Sequence, residues 1–332
     1  MGATGCGDNV LENRQPRQTP SPSLPLAENV QEPPEAFFVP DGDDIPDVIN
    51  RFVKNPDNPD ELIYIPGDEG GAVVWISRDQ YGYAIKFSDL DGGSARVLAR
   101  TSYRPANLMG DGLSVFWSAY ARSDVYAYDW DTKQVENIHS LGNIVTAMTM
   151  DDSFIYVGTA DGAITLGDRG AGSTLALTTA GGIPNHLVRQ GDSVLWTTAS
   201  DGNAGGSLFD YNLEKDLTTE MLGGFFFDTG FEADSAGIYW ADTRERAIMM
   251  VDRIGGEPVA MAEGQYGLTA VTSDRFYMYF ATASDQQVKA VAKEGGSVIP
   301  LGDGAADVID LVITDDARLF LIDLDFIYFV EL

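Results

Sequence analysis

Asn107, Asn185, Glu232 and Asp310 are the residues whose types and positions could do chemistry together. Each carries an oxygen donor, and each stands a short way before a large apolar anchor in a different copy of a repeated unit. Oxygens of this kind suit a hard cation such as calcium, which takes about six to eight of them. Spacing counts against a single set. Asn107 lies ten residues before its anchor, Asn185 and Asp310 eleven, and Glu232 eight, whereas alternate positions of a regular strand face opposite ways. The chain has only two histidines, His139 and His186, so a chemistry built on several imidazoles is excluded. His139 is expected in a loop after a fourth strand. His186 is expected on an inner strand, as polar lining and not as a base, since no partner for it is legible.

The elements that must position these residues recur with one period. Trp75, Trp117, Val157, Trp196, Trp240, Phe280 and Leu321 are the anchors, at intervals of 42, 40, 39, 44, 40 and 41 residues. That spacing is one four-stranded blade per unit, so the expected fold is all-β: a seven-bladed β-propeller of four-stranded antiparallel blades over 61–332. Two residues before each anchor the column is apolar throughout, from Val73 to Leu319. Nine before come Leu108, Met148, Leu187, Phe231, Val271 and Val312, a second row at the parity of a half-covered sheet. Six before stand Asp111, Asp151, Asp234, Asp274 and Asp315, with Glu69 and Gln190 in the other two units. Aspartate there can accept from backbone amides two residues on and close the first turn.

Gly92-Gly93, Gly255-Gly256 and Gly295-Gly296 mark the turn between third and fourth strands, because glycine takes positive φ without steric cost. The last unit stops two residues after its third strand. An open edge would be left there, so a strand from ahead of residue 61, around Ala36 to Val39, is expected to close the ring.

Composition bounds the rest. The formal net charge is -30, from 21 basic and 51 acidic residues, which excludes DNA and RNA as partners. There is no run of about 18 apolar residues that could cross a membrane as a helix. The acidity is otherwise read as solubility. One cysteine, Cys6, excludes an internal disulfide framework. Residues 1–35 read as a disordered tether, polar and proline-rich with little apolar surface to offset the entropy of ordering. Residues 36–60 read as an acidic segment with the ring-closing strand.

Ala3-Thr4-Gly5-Cys6, followed by Gly7-Asp8-Asn9 and the tether, resembles the mature start of a bacterial lipoprotein. The resemblance implies lipid attachment at Cys6 and an outer-membrane or periplasmic place in the cell envelope. Pro40-Asp41-Gly42-Asp43-Asp44-Ile45-Pro46-Asp47 resembles the thrombospondin type-3 repeat, which implies Asp41, Asp43 and Asp47 as calcium ligands. The same stretch reads equally as a solvated acidic turn with Asp47 as the N-cap of a short helix.

Ile238-Tyr239-Trp240-Ala241-Asp242, with Ile248, Asp252 and Gly255-Gly256, resembles the YWTD repeat of lipoprotein-receptor propellers and related bacterial surface lipoproteins. That likeness implies protein binding on a rigid disc without catalysis, although the receptor propellers of that group have six blades. Asn107, Asn185, Glu232 and Asp310 together resemble the set with which propeller lactonases hold a channel calcium, implying a metal that polarises a substrate carbonyl. Ala233-Asp234-Ser235-Ala236-Gly237 looks like a loosened nucleophile elbow, but Ser235 falls in the ordinary inner turn.

The function expected is a monomeric, non-enzymatic binding or scaffolding module for protein or carbohydrate at a bacterial envelope surface, touching membrane only through a lipid on Cys6. The alternative is a calcium-dependent lactonase-like hydrolase. Contact residues are sought near Tyr81 and Tyr83, Tyr120 and Arg122, and Phe225 to Phe227, where core packing is the competing use.

Overall fold

The second strand of each blade, such as Ser114–Ala119 or Gly237–Asp242, is buried along nearly its whole length because neighbouring blades cover both faces of the sheet. In the computed structural model the described residues are 49–332, apart from 54–55, 68–70, 171, 180, 200–203 and 304–306. They form seven four-stranded antiparallel sheets, and no helix is present among them. The first strands of the sheets are Pro59–Ile65, Pro105–Gly110, Val145–Met150, Pro184–Gln190, Phe231–Ala233, Leu268–Ser273 and Asp310–Ile313. Each of them contacts the first strand of the next sheet, and the seventh contacts the first. The chain is therefore a closed seven-bladed β-propeller with these strands innermost.

Every anchor is 0 or 1% exposed, and the column two residues earlier is 0% exposed in all seven blades. Seven apolar clusters result, one at each junction between neighbouring blades. Full burial of one such side chain is worth roughly 1.5–3 kcal/mol, so each junction contributes substantially to the stability of the ring.

The turn aspartates do what their column implies. Asp111, Asp151, Asp234 and Asp274 each accept from the amides two and three residues on. In three blades a tyrosine one residue before the anchor also donates its hydroxyl to that aspartate: Tyr156 to Asp151, Tyr239 to Asp234 and Tyr279 to Asp274. Blade 7 differs. Its turn is one residue longer, Leu311 and not Val312 pairs with Leu321, and Thr314 takes the place expected of Asp315 by bonding Arg318. The three glycine pairs all have positive φ, between 75° and 138°.

Ring closure needs a correction. The outer edge of the last blade is paired by Asn50–Arg51, opposite Phe329 and Tyr328, so the closing strand lies well after Ala36 to Val39. The anchor for it is Phe52, whose ring packs on Phe320 at 4.7 Å and whose amide donates to Ile327. Ala36 to Val39, Glu69, Cys6 and the set Asp41, Asp43 and Asp47 all lie outside the described residues.

Candidate functional site

The innermost strand of each blade has no further strand on its axial side, so its side chains line a channel. Five of these strands carry one residue more than their partners over a short stretch, and the ladder skips Glu61, Asn107 with Leu108, Thr146, Asn185 and Thr269. A bulge of this kind re-aims a side chain and breaks the alternation. Asn107 has φ 53°, a left-handed conformation that asparagine tolerates better than most residues.

The result is a ring. Glu61, Asn107, Thr146, Asn185, Thr229, Thr269 and Asp310, one from each blade or the link leading into it, line a single cavity of about 690 Å³. A deeper cavity of about 300 Å³ shares Glu61, Asn107, Asn185, His186 and Thr229 with it and adds Glu232. The four residues singled out by type therefore meet in one channel despite their unequal spacing. Glu61 joins them, and the sequence reading missed it. Its signal was present in Pro59-Asp60-Glu61-Leu62, which repeats the Pro-x-polar-Leu pattern of Pro105 to Leu108, but an extended first turn hid it from a count back from Trp75.

Hydrogen bonds show what the channel groups hold. Asp310 accepts from the amides of Leu62 and Leu311, at 2.8 and 2.9 Å. Glu61 accepts from the amide of Leu108, one blade further on. Asn107 donates to the Ser118 hydroxyl, and Asn185 accepts from Thr197. Burial, reinforced by the charge of Asp310, pushes Glu61 up to about 8. Burial likewise raises Glu232 to about 7, against the pull of Lys293, and Asp310 to about 6, against its amide bonds. His186 is pushed down to about 4 by burial, so at neutral pH it is uncharged lining. His139 is on the outermost strand Val135–Ser140, not in a loop after it; it is buried and donates from Nε2 to the Asp168 carbonyl.

Strand direction divides the disc into two faces. Turns between first and second and between third and fourth strands lie on one face. Turns between second and third strands, and the links from blade to blade, lie on the other, where the 690 Å³ cavity is lined by the link and turn residues Arg104, Tyr120, Ile144 and Ile309. Exposed large apolar side chains follow this division. Among the described residues Tyr81, Tyr120, Ile144, Ile183, Tyr266, Ile309 and Leu324 are on the link face, but only Leu113 and Ile254 are on the turn face; the remainder lie on outermost strands. Phe227, by contrast, is buried and packs with Phe225 against Trp240, so the segment Phe225 to Phe227 serves mainly the core.

No family model and no curated protein matches the sequence. Solved structures do match the fold. Virginiamycin B lyase from Staphylococcus aureus is similar with a TM-score of 0.64 at 13% identity, over 86% of this chain and 98% of that one. The computationally designed protein Ika8 gives 0.61 at 14% identity, over 85% and 100%. BamB from Moraxella catarrhalis gives 0.55 at 16% identity, over 86% and 83%. At such identities the likeness is one of architecture, and what this chain shares with these proteins is the β-propeller itself.

Proposed function

We propose that the protein is a non-enzymatic binding or scaffolding module that takes a protein or carbohydrate partner on its link face. Among the described residues seven exposed apolar side chains on that face against two on the other carry this reading, with Tyr120, Ile144 and Ile309 gathered at one channel mouth, since loops on a rigid disc are where partners are met. The envelope location belongs to the same proposal: a lipid on Cys6 and the residues ahead of the ring would hold the disc at a bacterial surface. The test is a photo-crosslinking amino acid placed at Leu324, at Tyr120 or, as control, at Ile254, in cells of the native host. Adducts from the first two positions and none from the third are expected; equal yields from both faces, or none from either, sink the reading.

A calcium-dependent hydrolase of the lactonase kind is the second reading, favoured by Asn107, Asn185, Glu232 and Asp310 sharing one channel. One observation weighs against it: both Asp310 oxygens already accept hydrogen bonds from backbone amides. Calorimetric calcium titration of the native chain, Glu232→Gln and Asp310→Asn, beside a lactone hydrolysis assay, decides it. Tight binding lost in both variants, together with turnover, would displace the scaffold reading.

A further inference from the structure

We infer that an alternating array of arginine and tyrosine side chains on blades 1 and 2 of the link face is the docking site for an acidic polypeptide segment. This rests on the binding role proposed above and names its sector and the partner's chemistry. Four guanidinium groups lie over tyrosine rings there: Arg78 over Tyr83 at 5.5 Å, Arg100 over Tyr81 at 5.3 Å, Arg104 over Tyr120 at 4.9 Å and Arg122 over Tyr103 at 5.6 Å. The pairs adjoin. Arg78 and Tyr83 are ladder partners, Tyr83 pairs in turn with Thr101 beside Arg100, Arg104 follows Tyr103 in the link between the blades, and Arg104 and Tyr120 line the channel mouth.

The Tyr103 end of the array is fixed from below. Tyr103 stacks on Tyr126 at 5.1 Å, Tyr126 on the buried Trp117 at 5.9 Å, and the Trp117 indole donates to the Tyr103 hydroxyl. An arginine held over an anchored ring, as Arg122 is over Tyr103, loses little side-chain entropy when a partner arrives.

Charge chooses the partner. With 51 acidic residues in the chain an arginine readily finds a carboxylate, and Arg100 and Arg104 do, at Asp79 and Asp60. Arg78 and Arg122 are exposed and have no carboxylate within 4.0 Å among the described residues. Their forks match carboxylates bidentately. Tyr81, 75% exposed, and Tyr120, 57% exposed, offer apolar faces beside them, the combination from which interface anchors are drawn. The net charge of -30 opposes any anion at long range, but at physiological salt this field is screened beyond about 8 Å, leaving contact chemistry to decide. A duplex nucleic acid, with a charge about every 1.7 Å, needs a far broader basic surface than two unneutralised arginines. A short acidic peptide does not.

The experiment is fluorescence anisotropy of a labelled peptide rich in Glu, Asp and Tyr against the full chain, with a Lys-rich peptide and a duplex oligonucleotide as comparisons. Saturable, salt-sensitive binding of the acidic peptide alone is expected. Each charged contact is worth about tenfold in affinity, so Arg78→Ala with Arg122→Ala should weaken binding by roughly 100-fold, and Arg78→Lys alone by less than Arg78→Ala. Both arginines are exposed, and an unchanged melting temperature confirms that the variants fold. Absence of acidic-peptide binding, equal binding by the double variant, or equal binding of the oligonucleotide overturns the inference. Should the peptide fail while a crosslinker at Leu324 still captures a partner, the array is wrong and the link-face reading survives; failure of both removes both.

Discussion

Asp310 accepts a hydrogen bond from the backbone amide of Leu62, 2.8 Å away, across the junction where the last blade meets the first. Glu61, the residue before Leu62, repeats the arrangement one blade on by accepting from the amide of Leu108. Both amides lie at a bulge in an inner strand. Buried amides without partners are costly, so these carboxyl groups fasten neighbouring blades at the axis.

Removing such a fastening should be expensive. Asp310→Ala strands the amides of Leu62 and Leu311, at about 1–3 kcal/mol for each buried group left unpaired. Asp310→Asn keeps one acceptor and should cost less. Denaturant unfolding checks both, and a loss below about 0.5 kcal/mol for the alanine variant would show the bonds to be incidental.

Stability should fall as pH rises through neutrality. Glu61, Glu232 and Asp310 are raised in the folded chain to about 8, 7 and 6, from ordinary values of 4.5, 4.5 and 3.8. Raised acids bind protons more tightly folded than unfolded, so their contribution is complete below about pH 4 and is lost progressively as pH rises from there through the folded values, the last of it near pH 8. His186 acts oppositely: lowered to about 4 from 6.5, it costs stability as pH drops through that interval, but it is one group against three. Each net proton changes the slope by about 1.4 kcal/mol per pH unit. Melting temperatures measured from pH 5 to 8.5 should decline, and Glu61→Gln should flatten the decline; a flat native profile contradicts the buried-carboxyl arrangement.

The blades were legible because two signals coincide: a repeat near forty residues, and short apolar runs at a fixed place in each unit, where the second strand is buried on both faces. The channel was legible only by residue type. Counting back from Trp117, Trp196, Trp240 and Leu321 assumes unbroken ladders, and bulges at Asn107 and Asn185 invalidate the count. Asp315 was misassigned because one extra residue in the blade 7 turn moves the bonding role to Thr314. Ring closure was foreseeable from an unpaired edge, but Asn50–Arg51 is too short a strand to have a periodic signature.

The turn aspartates should be the most sensitive polar residues outside the channel. Asp151 accepts from Ser153 and Phe154 amides, the Tyr156 hydroxyl and Arg189, and Arg189 belongs to the next blade. Asp151→Ala should cost about 2–3 kcal/mol, more than Tyr156→Phe at about 1 kcal/mol, which removes one bond only. The neighbouring Asp152→Ala should be nearly silent. Equal effects at Asp151 and Asp152 would reduce the column to surface charge.

Phe52 should control whether the ring stays shut. The closing strand pairs only Asn50 and Arg51 with the last blade, and two ladder residues cannot hold an edge in water by themselves. What holds them is burial: the Phe52 ring sits against Phe320 and Phe329, and Val53 bridges to Gly93 of blade 1. Phe52→Ala should cost about 3–5 kcal/mol and also free the edge strand Ile327–Glu331 to open locally. Hydrogen exchange separates this from ordinary core loss. Met278→Ala, in a junction remote from the closure, should lower global stability without selectively exposing amides of Ile327–Glu331, whereas Phe52→Ala should expose them before the other blades exchange. If both variants accelerate exchange evenly around the ring, closure is distributed over all seven junctions and Phe52 is one core residue among many.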